Sequence, residues 1–548
     1  MTVPALSSLI RDTLVWVRLS SPLEATTLGI HDDDHRVDHL GFARRAQEEQ
    51  LRDLLRRIPR YTNPDDRLDA AALRAHLMEI LILTYQINLP ERSAGYMIDE
   101  FLSALFHQVN GSYAPHAHRF SALLYRLREV QRMLGQVLHG LRKNAEAQRV
   151  PAAWTAQGMD VAAEGARYLA AIRRQLGLWL PHPQSALRRA VAEELTRAAR
   201  ALLEFRLDLR RRVLPLSVAG SYAVGRRRFG ELLAGAHLLP ASPLPFVHQA
   251  RQEQRDISDQ LRDLSIKLAG TPRWHEADRI LSAEHPPAAR LIPAFREQVR
   301  RLETFSRKNA LTRLCGSGSL DVIETPVFER ASIPYAAYQG PAPFEARARK
   351  GLFFVTPPDR RASRTERLRH LREFPSAAIC VTAAHEGIPG HHLQHLMSHA
   401  SDRPVRRLVW NTFFGEGWAH YAEGLVFREG YSDSDRSRFF LLKDRLWRCV
   451  RVGLDVDIHL HQLSLKEAAA RLVREAGLSA SGAWGEAVRY SQEPTQPMSY
   501  FVGRIFFESL VREERRRRGP AFDLARFHDR LLTLGAVPLA LVRQRLNS

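Results

Sequence analysis

The chain has 548 residues, 45% of them hydrophobic, and 80 lysines and arginines against 60 acidic residues give it a formal charge of +20. The length admits one large unit or about three ordinary domains, and the hydrophobic fraction guarantees a sizeable core. Three cysteines, Cys315, Cys380 and Cys449, are too few and too scattered for a disulfide framework or a thiolate zinc site, so any metal must use histidine and carboxylate.

The excess charge invites a nucleic-acid partner, because clustered cations release counterions from phosphate. Lysine, however, occurs at only six positions, and the arginines are strewn among leucine, alanine and glutamate without stacking aromatics. That texture reads as coding bias and solvated helix faces, the run Arg515 to Arg518 included. The N-terminus has no basic stretch before an apolar core, and charges arrive by Arg11 and Asp12, so no signal peptide is expected. The greasiest run, Leu77 to Leu89, contains Glu79 and is too short to span a bilayer. A cytoplasmic protein with no membrane partner is expected.

Residues 22–35 read as a polar turn after a short helix. Their acidic triplet, Asp32, Asp33 and Asp34, is a capping cluster or a cleft element, with capping preferred. From Gly41 to Gln298 apolar residues recur at i, i+3 and i+4, predicting long antiparallel helices broken at prolines and glycines, without a fixed-length repeat. Between Leu314 and Pro358 the pattern changes to Gly-Ser-Gly-Ser and then to short β-branched and aromatic runs around Val322, Ile333 and Phe353. These predict a small sheet whose exposed edge could pair with an extended peptide, or a hairpin that only packs.

The stretch from Val381 to Met397 carries four histidines and a glutamate on what begins as an apolar helix opened by Pro375. Two imidazoles can bind zinc while a neighbouring glutamate takes a proton from water. In the usual motif the histidines stand at i and i+4, but i+4 from His385 is Pro389. His392, at i+7, returns to the same face about 10 Å along an ideal helix, too far to share an ion. If Pro389 and Gly390 bulge out, the remainder spells His-Glu-x-x-His with His385, Glu386 and His391. Otherwise the helix ends there and surface histidines follow.

Further on, Glu416 and His420 stand at i and i+4 on a helix flanked by Phe413, Phe414 and Trp418, which argue for burial. Glu416 is the candidate third ligand, leaving the fourth position of a single zinc ion open, and His420 an orienting or substrate-contacting residue. Asp455 and His459 form another i, i+4 pair. A proline-bounded turn holding Gln496 leads into a helix on which Tyr500 and Arg504 share a face, suited to an oxyanion or a substrate carboxylate.

Together, His385-Glu-Gly-Ile-Pro-Gly-His-His-Leu-Gln394, Glu416-Gly-Trp-Ala-His-Tyr-Ala-Glu423 and Pro494-Thr-Gln-Pro-Met-Ser-Tyr-Phe-Val-Gly503 resemble the bacterial family called domain of unknown function 885. The opening Ala25-Thr-Thr-Leu-Gly-Ile-His-Asp, the segment Glu324 to Arg330 and the closing Phe527 to Leu539 resemble it too, so the likeness spans nearly the whole chain. That family is similar to the large helical zinc peptidases of the gluzincin type, such as neurolysin and angiotensin-converting enzyme. The resemblance implies a mainly α fold of two helical lobes flanking a deep cleft, with a small sheet beside the active-site helix. It also implies zinc on His385, His391 and Glu416, Glu386 as general base, and Tyr500 as candidate oxyanion donor; in the mechanism expected from these roles His420 or His459 assists Tyr500 at the oxyanion. His459, Gln496 and Arg504 are then substrate contacts. One departure is Asp457, where many relatives have glycine. The expected organisation is a helical lobe over 1–300, a β-containing segment over 301–360 and a catalytic helical region over 361–548, all in one integrated unit. The expected activity is zinc-dependent hydrolysis of short peptides. Alternatives are a metal-dependent amidase acting on a non-peptide metabolite and a catalytically silent, basic helical binding protein.

Overall fold

The computed structural model describes residues 5–181, 185–313, 318–330, 333, 335–345 and 350–547. The fold is mainly helical, with one small three-stranded sheet. By internal contacts the chain groups into two compact units. One holds residues 1–223 with 326–332 and 342–348, and the other holds 224–325, 333–341 and 349–548.

The first unit is built on long helices, among them His116–Glu146, Ala152–Trp179 and Ser185–Asp208. Their apolar stripes supply a core that includes Phe101, Phe120, Val130, Trp154 and Leu169. The acidic triplet does not cap a helix. Asp34 is buried, accepting from Thr26 Oγ1 at 2.7 Å and meeting His31 Nδ1 at 3.1 Å, and it also accepts from the Tyr113 hydroxyl.

The second unit contains the sheet and every helix of the histidine-rich region. Strands β1 (Ser319–Glu324), β2 (Ala336–Gln339) and β3 (Lys350–Val355) lie in the order β1-β3-β2, with β3 parallel to β1 and antiparallel to β2. The central strand reads as a continuous apolar run and buries Phe353, Phe354 and Val355 together. Strand β2 is an edge, paired on one side only among the described residues. Residues 316 and 317 of the Gly-Ser-Gly-Ser segment, and Cys315, lie outside the described residues.

Two helices of this unit cross very closely, Thr412–Arg428 and Gln496–Arg518, called here the Glu416 helix and the Tyr500 helix. Their backbones meet at glycines. A Cβ on Gly417 would lie 2.4 Å from Gly503 Cα, and one on Gly503 would lie 2.1 Å from the Phe413 carbonyl oxygen. Around this contact Phe414, Trp418, Tyr421 and Phe507 are all buried, with Phe507 edge-on to Phe414 at 5.2 Å and to Trp418 at 5.7 Å. Each such aromatic contributes about 1.5–3 kcal/mol by leaving water, and the glycines let the backbones approach closely enough to realise it. Gly503→Ala should therefore force the helices apart at a cost of about 1–3 kcal/mol. Thermal melting checks this, and a wild-type midpoint would show that the crossing tolerates a methyl group.

Candidate metal centre

The helix Ile379–Glu386 starts four residues after Pro375, its small residues Ala383 and Ala384 fully buried. It ends at Gly387, whose N–H reaches Ala383 O at 2.9 Å. A tight turn follows, in which the Ile388–Pro389 bond is cis, and a new helix runs from His391 to His399. The Pro-Gly segment is thus a break between two helices, where the sequence suggested a bulge within one. The turn packs directly on the helix it leaves, since a Cβ on Gly390 would lie 1.9 Å from the His385 carbonyl oxygen, a space that only glycine fits. The Trp418 indole N–H donates to the Pro389 carbonyl at 2.9 Å and ties the turn to the Glu416 helix.

This route sets His391 facing His385, with ring centroids 4.8 Å apart and nearly perpendicular. Glu416 Oε2 lies 3.5 Å from His385 Nε2 and 3.3 Å from His391 Nε2. Donor atoms bound tetrahedrally to zinc at about 2.0–2.1 Å stand about 3.3 Å apart, so Glu416 stands near ligand spacing from both imidazoles. Ligand atoms of His385, His391 and Glu416 all fall within 4.8 Å of one another, and they are the one such group of three among the described residues. Glu416 Oε2 is buried and faces both imidazoles at 3.3 and 3.5 Å, longer than the roughly 2.7–2.9 Å of a tight charge-assisted hydrogen bond.

Burial alone would lower the His385 pKa, but hydrogen bonds to Glu416 and Glu423 outweigh it and raise it to about 10. Burial likewise acts to raise Glu416, yet the His391 and His385 imidazoles hold it well below the ordinary carboxylate range. Glu386 behaves differently. Burial pushes its carboxyl up, and the flanking imidazoles offset this only in part.

Glu386 lines a cavity of about 180 Å³ together with the three candidate ligands, Tyr338, Tyr500, His395, Trp410, and Ala336 and Ala337 of the edge strand β2. The Tyr500 ring lies nearly parallel to His385 at 6.1 Å and under the Arg451 guanidinium at 4.4 Å. Burial, then the nearby Glu416 charge, push its phenol up to about 12, so it remains a proton donor at neutral pH. Gln496 Nε2 donates to the Tyr500 hydroxyl at 3.3 Å and touches the pocket through that contact.

The other candidates lie elsewhere. His420 is fully buried, does not line the cavity, and sits with Nδ1 3.1 Å from the Tyr500 carbonyl. His459 is fully buried with Nε2 3.0 Å from the Tyr490 carbonyl. Arg504 is engaged by both Glu253 oxygens at 2.6 Å and by Glu508 at 2.8 Å, leaving no fork for a substrate carboxylate. Asp457 pairs with Arg471 at 2.5 Å. Two residues take roles that spacing did not assign. Glu423 Oε1 meets His385 Nδ1 at 2.7 Å and orients the ring so that Nε2 faces Glu416. At i+7 from Glu416 it is about 20° off the same line, whereas His420 at i+4 is about 40° off. Tyr338, from the edge strand, stacks against His391 at 6.1 Å and meets His392 Nδ1 through its hydroxyl at 3.0 Å. His392 is thereby engaged on the sheet side, its basicity lowered by burial to about 4.

Residues 22–546 match the family model described as bacterial protein of unknown function DUF885. The chain belongs to this family. No functionally curated protein matches it. Among solved structures, a candidate lipoprotein of unknown function from Shewanella oneidensis is similar over 100% of both chains at 19% identity, with a TM-score of 0.77. A candidate lipoprotein from Colwellia psychrerythraea is similar over 100% of this chain and 99% of that one, at 17% identity and a TM-score of 0.82. At these identities the likeness is one of fold. No helix among the described residues is long and apolar enough to cross a membrane.

Two outcomes follow from the geometry. Replacing His391 by alanine should abolish stoichiometric zinc binding while the same change at His392 spares it, as elemental analysis of the two variants will read. Because a metal must displace the Nε2 proton of a His385 imidazolium that Glu416 and Glu423 stabilise up to about pH 10, while the Nδ1 proton stays directed at Glu423, zinc affinity should climb between pH 6 and 8, by up to about tenfold per unit. A flat profile in competition titrations would contradict that pairing.

Proposed function

We propose that this DUF885 protein is a zinc-dependent hydrolase of amide bonds that acts on short peptides. The observation carrying the reading is the convergence of His385, His391 and the buried Glu416 oxygen that faces both rings, with Glu386 lining the same cavity. The residue types match those of the helical gluzincin peptidases that the motif resembles.

A bound zinc supplies Lewis acidity to a carbonyl and lowers the pKa of water. Glu386 takes the proton from the attacking water and later returns it to the departing amine nitrogen. Its upward shift suits this task, because a base poised nearer neutrality both accepts and releases a proton readily. Tyr500, kept protonated, donates to the oxyanion that develops as the carbonyl is attacked. The outer edge of β2, which pairs with no further strand among the described residues, lines the cavity at Ala336 and Ala337 and offers main-chain groups there to an extended substrate backbone.

Purified protein carrying one zinc equivalent is expected to cleave members of a short-peptide library, to lose this activity with chelator and to regain it with zinc. Glu386→Gln should retain the metal and lose about 10²-fold to 10⁴-fold in turnover. Full activity in that variant would overturn the assignment, and cleavage confined to a panel of non-peptide amides would overturn its peptide half.

A further inference from the structure

His237 takes no part in the pocket and carries no sequence motif, yet it is 1% exposed and hydrogen-bonded through both ring nitrogens. Asn411 Nδ2 lies 3.1 Å from His237 Nδ1 and 3.4 Å from the Ala236 carbonyl. The carbonyl is an acceptor and so fixes the amide with its NH₂ toward the ring, which makes Nδ1 the acceptor and leaves the ring proton on Nε2. Nε2–H then donates to Thr495 Oγ1 at 2.9 Å, and the Thr495 hydroxyl donates to the Pro494 carbonyl. Burial, which lowers the His237 pKa to about 3, keeps the ring in the neutral form this directional chain requires.

The two partners are the residues that begin the site's two crossing helices. Asn411 precedes the Glu416 helix and Thr495 precedes the Tyr500 helix, and neither side chain caps its own helix. Thr495 has φ +75°, a left-handed conformation that a β-branched residue adopts only under compulsion. Its N–H and that of Met498 are held by the two oxygens of the buried Asp455, at 3.1 and 3.3 Å, and its hydroxyl is held by His237. The His237 ring also packs on Phe413 with centroids 4.6 Å apart. A strained turn fixed from two sides fixes the start of the helix it leads into, and Tyr500 lies in the second turn of that helix.

We propose that His237 is a positioning residue that bridges the first residues of the Glu416 and Tyr500 helices and so holds the Tyr500 phenol in register with the metal ligands. This role rests on the proposed hydrolase reading for its catalytic consequence, but its structural content is tested without substrate. His237→Phe keeps the ring on Phe413 and removes both hydrogen bonds. His237→Gln keeps one acceptor and one donor.

Hydrogen exchange of the zinc-loaded protein should be faster at the amides of residues 495–500 in His237→Phe and close to wild type in His237→Gln, with zinc stoichiometry unchanged in both. Where peptide hydrolysis is measurable, kcat should fall about tenfold to 10²-fold in His237→Phe with KM within about twofold, and recover at least half of that loss in His237→Gln. Unchanged exchange at 495–500 in His237→Phe would overturn the proposal, as would equal loss in both variants or loss of zinc. A wild-type protein that cleaves no amide would sink the hydrolase reading and leave the exchange result to decide this one.

Discussion

The pocket depends on one close contact, the seating of Gly390 against the carbonyl of His385. Because no side chain intervenes, the chain turns back within four residues and starts a second helix whose first residue, His391, faces the last turn of the first. A continuous helix would turn His391 about 120° away from His385. Trp418 secures the turn from the Glu416 helix, so the third candidate ligand is fixed by the same contact that delivers the second.

Close approach of backbones recurs one layer out. Gly417 follows Glu416 immediately, and its contact with Gly503 draws the Tyr500 helix against the helix of the candidate ligand. The surrounding aromatics keep this crossing dry, and Asp455, His237 and Asn411 fix the helix starts. These polar groups are buried at a cost that hydrogen bonds to main-chain N–H and to each other offset. Rigid support of this kind holds reacting groups within fractions of an ångström.

Within the pocket the electrostatics are deliberately unbalanced. Glu386, Glu416 and Glu423 crowd two buried imidazoles beside the cavity, and burial and neighbouring charges pull the pKa values of His385, Glu386 and Glu416 in different directions. Glu416 and Glu423 both work on His385, one at each nitrogen, while burial pushes the Glu386 carboxyl up and the imidazoles hold Glu416 down. Such crowding beside a cavity is what marks this cluster as the candidate site.

The sequence by itself determined the helical fold, the small sheet and the candidate ligands His385, His391 and Glu416, because periodicity, β-branched runs and the Pro-Gly interruption are local signals. The edge strand was legible for the same reason. Tertiary structure alone decided which of the neighbouring polar residues serve the pocket. His420, His459 and Arg504 have suitable chemistry at suitable helical spacing, yet each is engaged by a partner far along the chain: the Tyr500 carbonyl, the Tyr490 carbonyl and Glu253. Glu423, Tyr338 and His237 gain their roles from partners 38, 54 and 258 residues away in their hydrogen bonds to His385, His392 and Thr495. Spacing along one helix fixes which residues share a face, whereas what that face meets is set by the crossing of helices at glycines, and no local pattern encodes where two distant glycines will touch.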